Sequence, residues 1–325
     1  MSKKLFVILI VFVLTFLWPL IQKDFNTESE RLSQMNRCFE DKQIPCRWVP
    51  EGTYGYGSPL FNYLSPLPYY FGELIYFLSG NISLAVIFIY LVPFLSSLFF
   101  ILVFTRFIQR INISNMLTFA ISTTVLLLSH TILSIIFLSS ITFWVIFKKR
   151  EKKFMLILFC SLMISLLLSS FYLLPAVFER NLIHKDFLPI YAAEIPKEAA
   201  KVRFEILTGD SQISDFKQGS NYFNFKTHTN THTIIRLSQH YFPNWKILID
   251  GKVAKVEYTN NSLGLMTIIL GSGEHEIRGK FFDTPIRIIS NVLTLTTIIL
   301  ILIVFLCQMS WVKRWLTYYK KGIGN

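Results

Sequence analysis

The chain has 325 residues, of which 52% are hydrophobic and 16% aromatic, and a formal net charge of +12. Its long unbroken apolar runs exclude a purely soluble domain and indicate a polytopic membrane protein. The positive charge lies largely in short clusters beside those runs, where Lys and Arg set orientation and meet anionic headgroups, so it calls for membrane lipid and for no nucleic acid.

Lys3 and Lys4 precede an apolar run from Leu5 to Ile21 that carries Trp18 and Pro19 at its far end and lacks a small-residue cleavage site. We read it as a retained anchor. An opening loop, residues 22–81, follows. Its middle is punctuated by Gly and Pro too densely for a regular helix or a long strand. Its aromatic end, Pro66 to Ser79, holds the single charge Glu73 and predicts a helix lying in the outer interface. Cys38 and Cys46 lie in this loop and could bridge in an oxidising compartment, whereas Cys160 and Cys307 fall in apolar runs as packing residues.

The next span runs from Ile82 to Phe104 and is closed by Arg106 and Arg110. The apolar stretch from Met116 to Phe147 is interrupted at Ser129-His130-Thr131 and followed by basic residues at 148–153. Folding it as a hairpin near His130 places every basic cluster on the cytoplasmic side. Phe154 to Leu174, ending at Pro175, and Ile286 to Met309, followed by Lys313 and Arg314, complete the set. The expectation is about six spans with both termini cytoplasmic, in a multi-pass protein of the cell membrane. Residues 1–175 form the transmembrane region with its first outer loop. Residues 176–285 form an extracytoplasmic domain, and residues 286–325 the last helix and a basic tail.

In the outer domain the pattern changes to alternation. Phe223 and Phe225 share one strand face, Ile235 and Leu237 continue it, and Trp245, Ile247 and Ile249 repeat it before a hairpin turn at Asp250-Gly251. Leu265–Leu270 and Glu274–Phe282, joined at Gly271-Ser-Gly273, predict a further strand pair. The predicted fold class is therefore an α-helical polytopic membrane protein with an all-β, sandwich-like outer domain. His228, His232, His240 and His275 lack carboxylates or Cys at ligand spacing, so no metal site is assigned to them.

Gly55-Tyr-Gly-Ser-Pro-Leu-Phe-Asn-Tyr with Pro66-Leu-Pro-Tyr-Tyr70 resembles the membrane-protein family labelled 6-pyruvoyl-tetrahydropterin synthase-related. Tyr241-Phe-Pro-Asn-Trp-Lys-Ile-Leu-Ile-Asp-Gly251, Gly271-Ser-Gly-Glu-His275 and Asp283-Thr-Pro-Ile-Arg287 resemble its outer domain and that of the YfhO-type membrane proteins. Both are similar to the multi-spanning (GT-C-like) glycosyltransferases that use lipid-linked sugars. No pterin-site motif is present.

The resemblance implies inverting sugar transfer from a polyprenyl-phosphate sugar donor to a cell-envelope polymer or lipid acceptor. It implies a carboxylate in the first outer loop that deprotonates the acceptor or positions a divalent metal ion. The matching stretch is Asp24-Phe-Asn-Thr-Glu-Ser-Glu-Arg31, with Glu28 where the family pattern has His. On a helix Asp24, Glu28 and Arg31 share one face. Asp24 and Glu28 are then the catalytic candidates, Arg31 a phosphate contact, and Tyr69 and Tyr70 cover the cavity. His130 and Arg180, just past Pro175, join as substrate-binding candidates. Relatives have about twice as many spans, and the central helices are missing between Leu117 and Leu133. A non-catalytic, membrane-anchored envelope or glycan-binding module is the alternative, and an oligomer would supply missing walls. No internal repeat or intramembrane carboxylate marks a transporter.

Overall fold

The computed structural model describes residues 25–110, 112–147, 151–180 and 198–322. The expected first anchor and Asp24 lie outside the described residues. Helix α1, Phe25–Glu40, opens the structure and ends where Cys38 is bridged to Cys46. A tight turn at Gly52–Gly55 and a short 3-10 turn at Leu60–Asn62 lead to α2, Leu67–Ser79. Gly80 in the left-handed conformation (φ 64°) closes α2, and the Asn81 side chain accepts from the Leu84 amide at 3.0 Å to start α3, Ile82–Gln109. Left-handed glycine and an Asn cap are the stop and start signals of adjacent helices. Gly72 is required where α2 meets its neighbours: a Cβ there would lie 2.8 Å from Ile89 and 3.2 Å from Leu32.

The hairpin expected near His130 is present as α4, Ile113–Ser129, and α5, Thr131–Phe147. Helix α6, Lys152–Leu168, is followed across Ser169 by α7, Ser170–Phe178, at a bend of 79°. The last helix, α8, runs Pro285–Gly322. Phe100, Phe104 and Phe107 of α3 pack on Phe119 of α4 and Phe154 of α6, with Phe107 and Phe119 stacked at 4.5 Å.

Two helices are long and apolar enough to cross a membrane: α3 and the Pro285–Cys307 part of α8, with mean hydropathy 2.7 and 2.6. The bent pair α6–α7 makes a third if counted as one span. The expected count of six is not supported. Dividing the long apolar stretch at His130 leaves two helices of 17 residues each, about 25 Å long against a hydrocarbon core of about 30 Å.

The region from Phe204 to Phe281 folds as two antiparallel sheets. One has the order β1-β4-β7, from Phe204–Thr208, Thr233–His240 and Leu265–Leu270. The other has the order β2-β3-β8-β5-β6, from Ser211–Gln218, Tyr222–Thr229, Gly273–Phe281, Trp245–Ile249 and Lys252–Val253. Inward residues of both sheets, among them Phe223, Phe225, Ile235, Ile247, Met266, Ile268 and Ile277, make one core. Asp250 (φ 51°) and Gly251 (φ 77°) form the expected tight turn between β5 and β6. One expected pairing is corrected: β7 pairs with β4, and β8 with β3 and β5, so Gly271-Ser-Gly273 crosses between sheets. Both strands must present apolar faces to one core, and placing them in opposite layers satisfies that.

The opening loop is built into this core. Trp48 is fully buried there, edge-on to Trp245 at 5.5 Å. Gly57 (φ 81°) passes under it, and a Cβ at that position would sit 2.7 Å from the indole. Next to it, Arg47 donates to Asn62 Oδ1 at 3.2 Å, the Phe171 carbonyl at 3.0 Å and Asn291 Oδ1 at 3.0 Å, and faces Asp283 at 3.5 Å. Burial pushes its pKa down to about 10, which leaves it charged at neutral pH. Arg287 donates to Glu179 Oε2 at 2.7 and 2.9 Å, and Thr284 donates to the same carboxylate. Loop, α7, α8 and β domain thus meet at two buried cations.

Candidate functional site

A cavity of about 520 Å³ lies where α1, α2, α3, the α4–α5 turn and the end of α7 converge. Its lining includes Glu28, Arg31, Tyr69, His130 and Arg180, which are separated in sequence by up to the length of the helical region. Helix α1 places Glu28 and Arg31 one turn apart on one face, because its apolar residues Leu32 and Met35 are buried against α2 and α3.

Glu28 is held from two sides. Arg31 donates to its Oε1 at 2.8 Å and the Tyr69 hydroxyl donates to its Oε2 at 2.6 Å, while Arg31 also lies 3.5 Å from the Tyr69 oxygen. Burial, reinforced by the Glu28 charge, drives the Tyr69 pKa upward, so its proton stays on oxygen as the donor. Burial opposes the charge on Arg31, but Tyr69 and Glu28 more than offset it and its pKa is raised. Tyr69 is fixed in place by Phe61, edge-on at 5.3 Å.

The lining also carries His130 at the α4–α5 turn, where burial lowers its pKa, and exposed Arg180 beyond α7. Between them lies a hydroxyl chain: the Thr131 amide donates to Ser65 Oγ at 3.1 Å, Thr131 Oγ1 donates to the Tyr172 oxygen at 3.2 Å, and Tyr172 donates to the Tyr63 carbonyl at 3.0 Å. Ile89, Pro93, Ile132, Ala176 and Val177 add apolar side chains to the lining. The cavity lining therefore combines two guanidiniums and a carboxylate with apolar side chains.

Tyr70 does not line the cavity. Consecutive helical residues point about 100° apart, and Tyr70 turns instead to Phe39, edge-on at 5.8 Å, and to the Cys46 backbone. Asp24 lies outside the described residues. A divalent metal does not fit the arrangement: both Glu28 oxygens are engaged, and no group of three His, Cys, Asp or Glu side chains able to hold a metal occurs among the described residues. Ser65, Thr131 and Tyr172 were not singled out from the sequence, and isolated hydroxyls in apolar segments give no signal of their meeting.

The geometry defines a class first: a helical, membrane-type body with an amphipathic cavity, joined through a buried loop to a two-sheet β domain. No family model matches the chain, and no curated protein matches it.

Proposed function

We propose that the cavity binds a phosphorylated amphiphile, and that the protein is a glycosyltransferase-like membrane protein using a polyprenyl-phosphate sugar as donor and a cell-envelope polymer or lipid as acceptor. The observation that carries this is the gathering of Glu28, Arg31, Tyr69, His130 and Arg180 on one cavity whose lining also holds Ile89, Pro93, Ile132 and Val177. A phosphate beside Arg31 and Arg180 receives charge-assisted hydrogen bonds, and a prenyl chain lies along Ile89, Pro93, Ile132 and Val177. The motif likeness to the 6-pyruvoyl-tetrahydropterin synthase-related family supports the same substrate class.

In this reading a carboxylate takes the acceptor hydroxyl proton, the acceptor oxygen bonds to the sugar's anomeric carbon, and the bond to phosphate breaks. Arg31 and Arg180 bear the charge that remains on the lipid phosphate. Asp24, four positions before Glu28 in sequence, is the proposed base. Glu28 holds Arg31 and Tyr69 and is the second carboxylate. The six-segment, both-termini-cytoplasmic topology belongs to this proposal, and the Cys38–Cys46 bridge supports an oxidising, extracytoplasmic face for the loop.

A second reading, a non-catalytic glycan- or envelope-binding module, is favoured by the saturation of Glu28 and by the small number of full-length spans. Reconstituted protein with polyprenyl-phosphate sugars separates the two. Arg31→Ala is expected to weaken donor binding by about 10- to 100-fold, about 1.5–3 kcal/mol for a hydrogen bond to a charged group. Asp24→Ala keeps binding and lowers turnover by about 10²–10⁴-fold. Absence of both donor binding and turnover in the native protein overturns the enzyme reading, and binding of an envelope glycan in its place selects the module.

A further inference from the structure

Away from the cavity, the outward face of the five-stranded sheet carries Tyr222, Lys280 and Lys246 in a row across β3, β8 and β5, each the register partner of the next. Like charges directly opposite each other on neighbouring strands repel. Both ammonium groups nevertheless lean over the ring of Phe282, at 5.6 Å for Lys280 and 5.2 Å for Lys246. A ring quadrupole draws cations to its face but does not neutralise them.

Two carboxylates flanking this part of the chain, Asp283 and Glu276, already have partners. Asp283 faces Arg47 at 3.5 Å and accepts from Asn291 at 3.2 Å, while Glu276 is held by Arg278 at 2.7 Å. Neither lysine has an ion-pair partner among the described residues. Phe282 itself is 39% exposed, and three residues later Pro285 opens α8, one of the two helices apolar enough to cross a membrane. Two cations without an ion-pair partner among the described residues and a half-exposed aromatic therefore stand beside the start of a helix apolar enough to span a membrane, where headgroup phosphates lie and aromatic rings settle.

We propose that Lys246, Lys280 and Phe282 form a docking site for the headgroup phosphate of an anionic phospholipid. The lipid relieves the lysine repulsion and seats the β domain on the bilayer beside α8. The site is separate from the cavity and does not depend on sugar transfer.

The test uses the full chain, purified in detergent, stripped of lipid and titrated with phosphatidylglycerol or phosphatidylcholine, with bound lipid counted by native mass spectrometry. Phosphatidylglycerol is expected to bind in preference to phosphatidylcholine. Lys246→Ala with Lys280→Ala weakens it by about thirtyfold, about fivefold per lysine at an anionic surface. Lys246→Arg with Lys280→Arg retains it, and the near-UV circular dichroism of both variants matches the native protein. Equal binding of the two lipids by the native chain, or undiminished phosphatidylglycerol binding by the double alanine variant, overturns the proposal. Displacement of the lipid by inorganic phosphate at equal concentration reassigns the patch to a free anion and overturns it as well.

Discussion

Tyr69 illustrates how one hydroxyl organises the cavity. It donates to one Glu28 oxygen while Arg31 donates to the other and lies 3.5 Å from the Tyr69 hydroxyl, so the three groups hold one another in place. Tyr69→Phe keeps the ring against Phe61 and removes only that bond. Because Glu28 and Arg31 retain some exposure, a loss of about 1 kcal/mol is expected in denaturant unfolding, together with weaker donor binding. His240 presents a different case. It is fully buried, edge-on to Tyr56 at 5.5 Å, and neither ring nitrogen has a hydrogen-bond partner among the described residues. Burial pushes its pKa down to about 4. A base whose folded pKa lies below its unfolded value of about 6.5 leaves stability unaffected above that value. As pH falls toward 4 the unfolded chain takes up the proton first. We expect a loss of about 2 kcal/mol at pH 5, approaching about 3 kcal/mol below pH 4. Thermal unfolding at pH 7.5 and pH 5 reads this, and His240→Leu should abolish that part of the acid sensitivity.

Among the elements, the junction of α7, α8 and the β domain rests on Glu179 and Arg287, both essentially buried and joined at 2.7 Å. Arg287 also stacks over Phe281 at 4.8 Å. Removing one partner leaves an unpaired charge in a dry site, so Glu179→Ala should cost about 3–5 kcal/mol. Glu179→Leu combined with Arg287→Met should recover most of that stability, as apolar replacement of a buried pair does. If the double variant unfolds as readily as the single one, the pair acts through its hydrogen bonds to Thr284 rather than through its charge. Trp48 couples the opening loop to the sheets in the same way. Trp48→Ala is expected to cost about 3–5 kcal/mol and to expose the 41–58 segment to protease, read by the cleavage pattern of the intact chain.

For the molecule as a whole, the arrangement in the membrane follows from charge and length acting together. With Cys160 and Cys307 replaced by Ser, Lys152→Cys should resist an impermeant maleimide added outside cells, and Asn230→Cys should react with it. External labelling of Lys152→Cys would overturn the hairpin topology. The apolar segments were legible because lipid demands long uninterrupted runs, and the strands because burial on one face imposes alternation. The hairpin at His130 was legible from the placement of basic clusters, and the turn at Asp250-Gly251 from local chemistry. The pairing of β7 and β8 with different sheets was not, since a Gly-Ser-Gly turn reads alike whether the chain returns beside itself or crosses to the other layer. Nor was the division of Tyr69 and Tyr70, which depended on the helix phase set by Gly72 against Ile89.

The sequence by itself determined a membrane-type chain with an aromatic, Gly- and Pro-rich opening loop and a β-rich region before its last helix, because composition and periodicity record the solvent each residue meets. It also pointed to Glu28, Arg31, Tyr69, His130 and Arg180 through residue type and motif likeness. Only the tertiary structure decided that these five line one cavity, that Trp48 locks the loop into the β domain while Arg47 ties it to α7 and α8, and that Glu179 meets Arg287 across more than a hundred residues. Such contacts are made by packing between distant segments, and a one-dimensional pattern carries no record of which distant side chain will satisfy a buried charge.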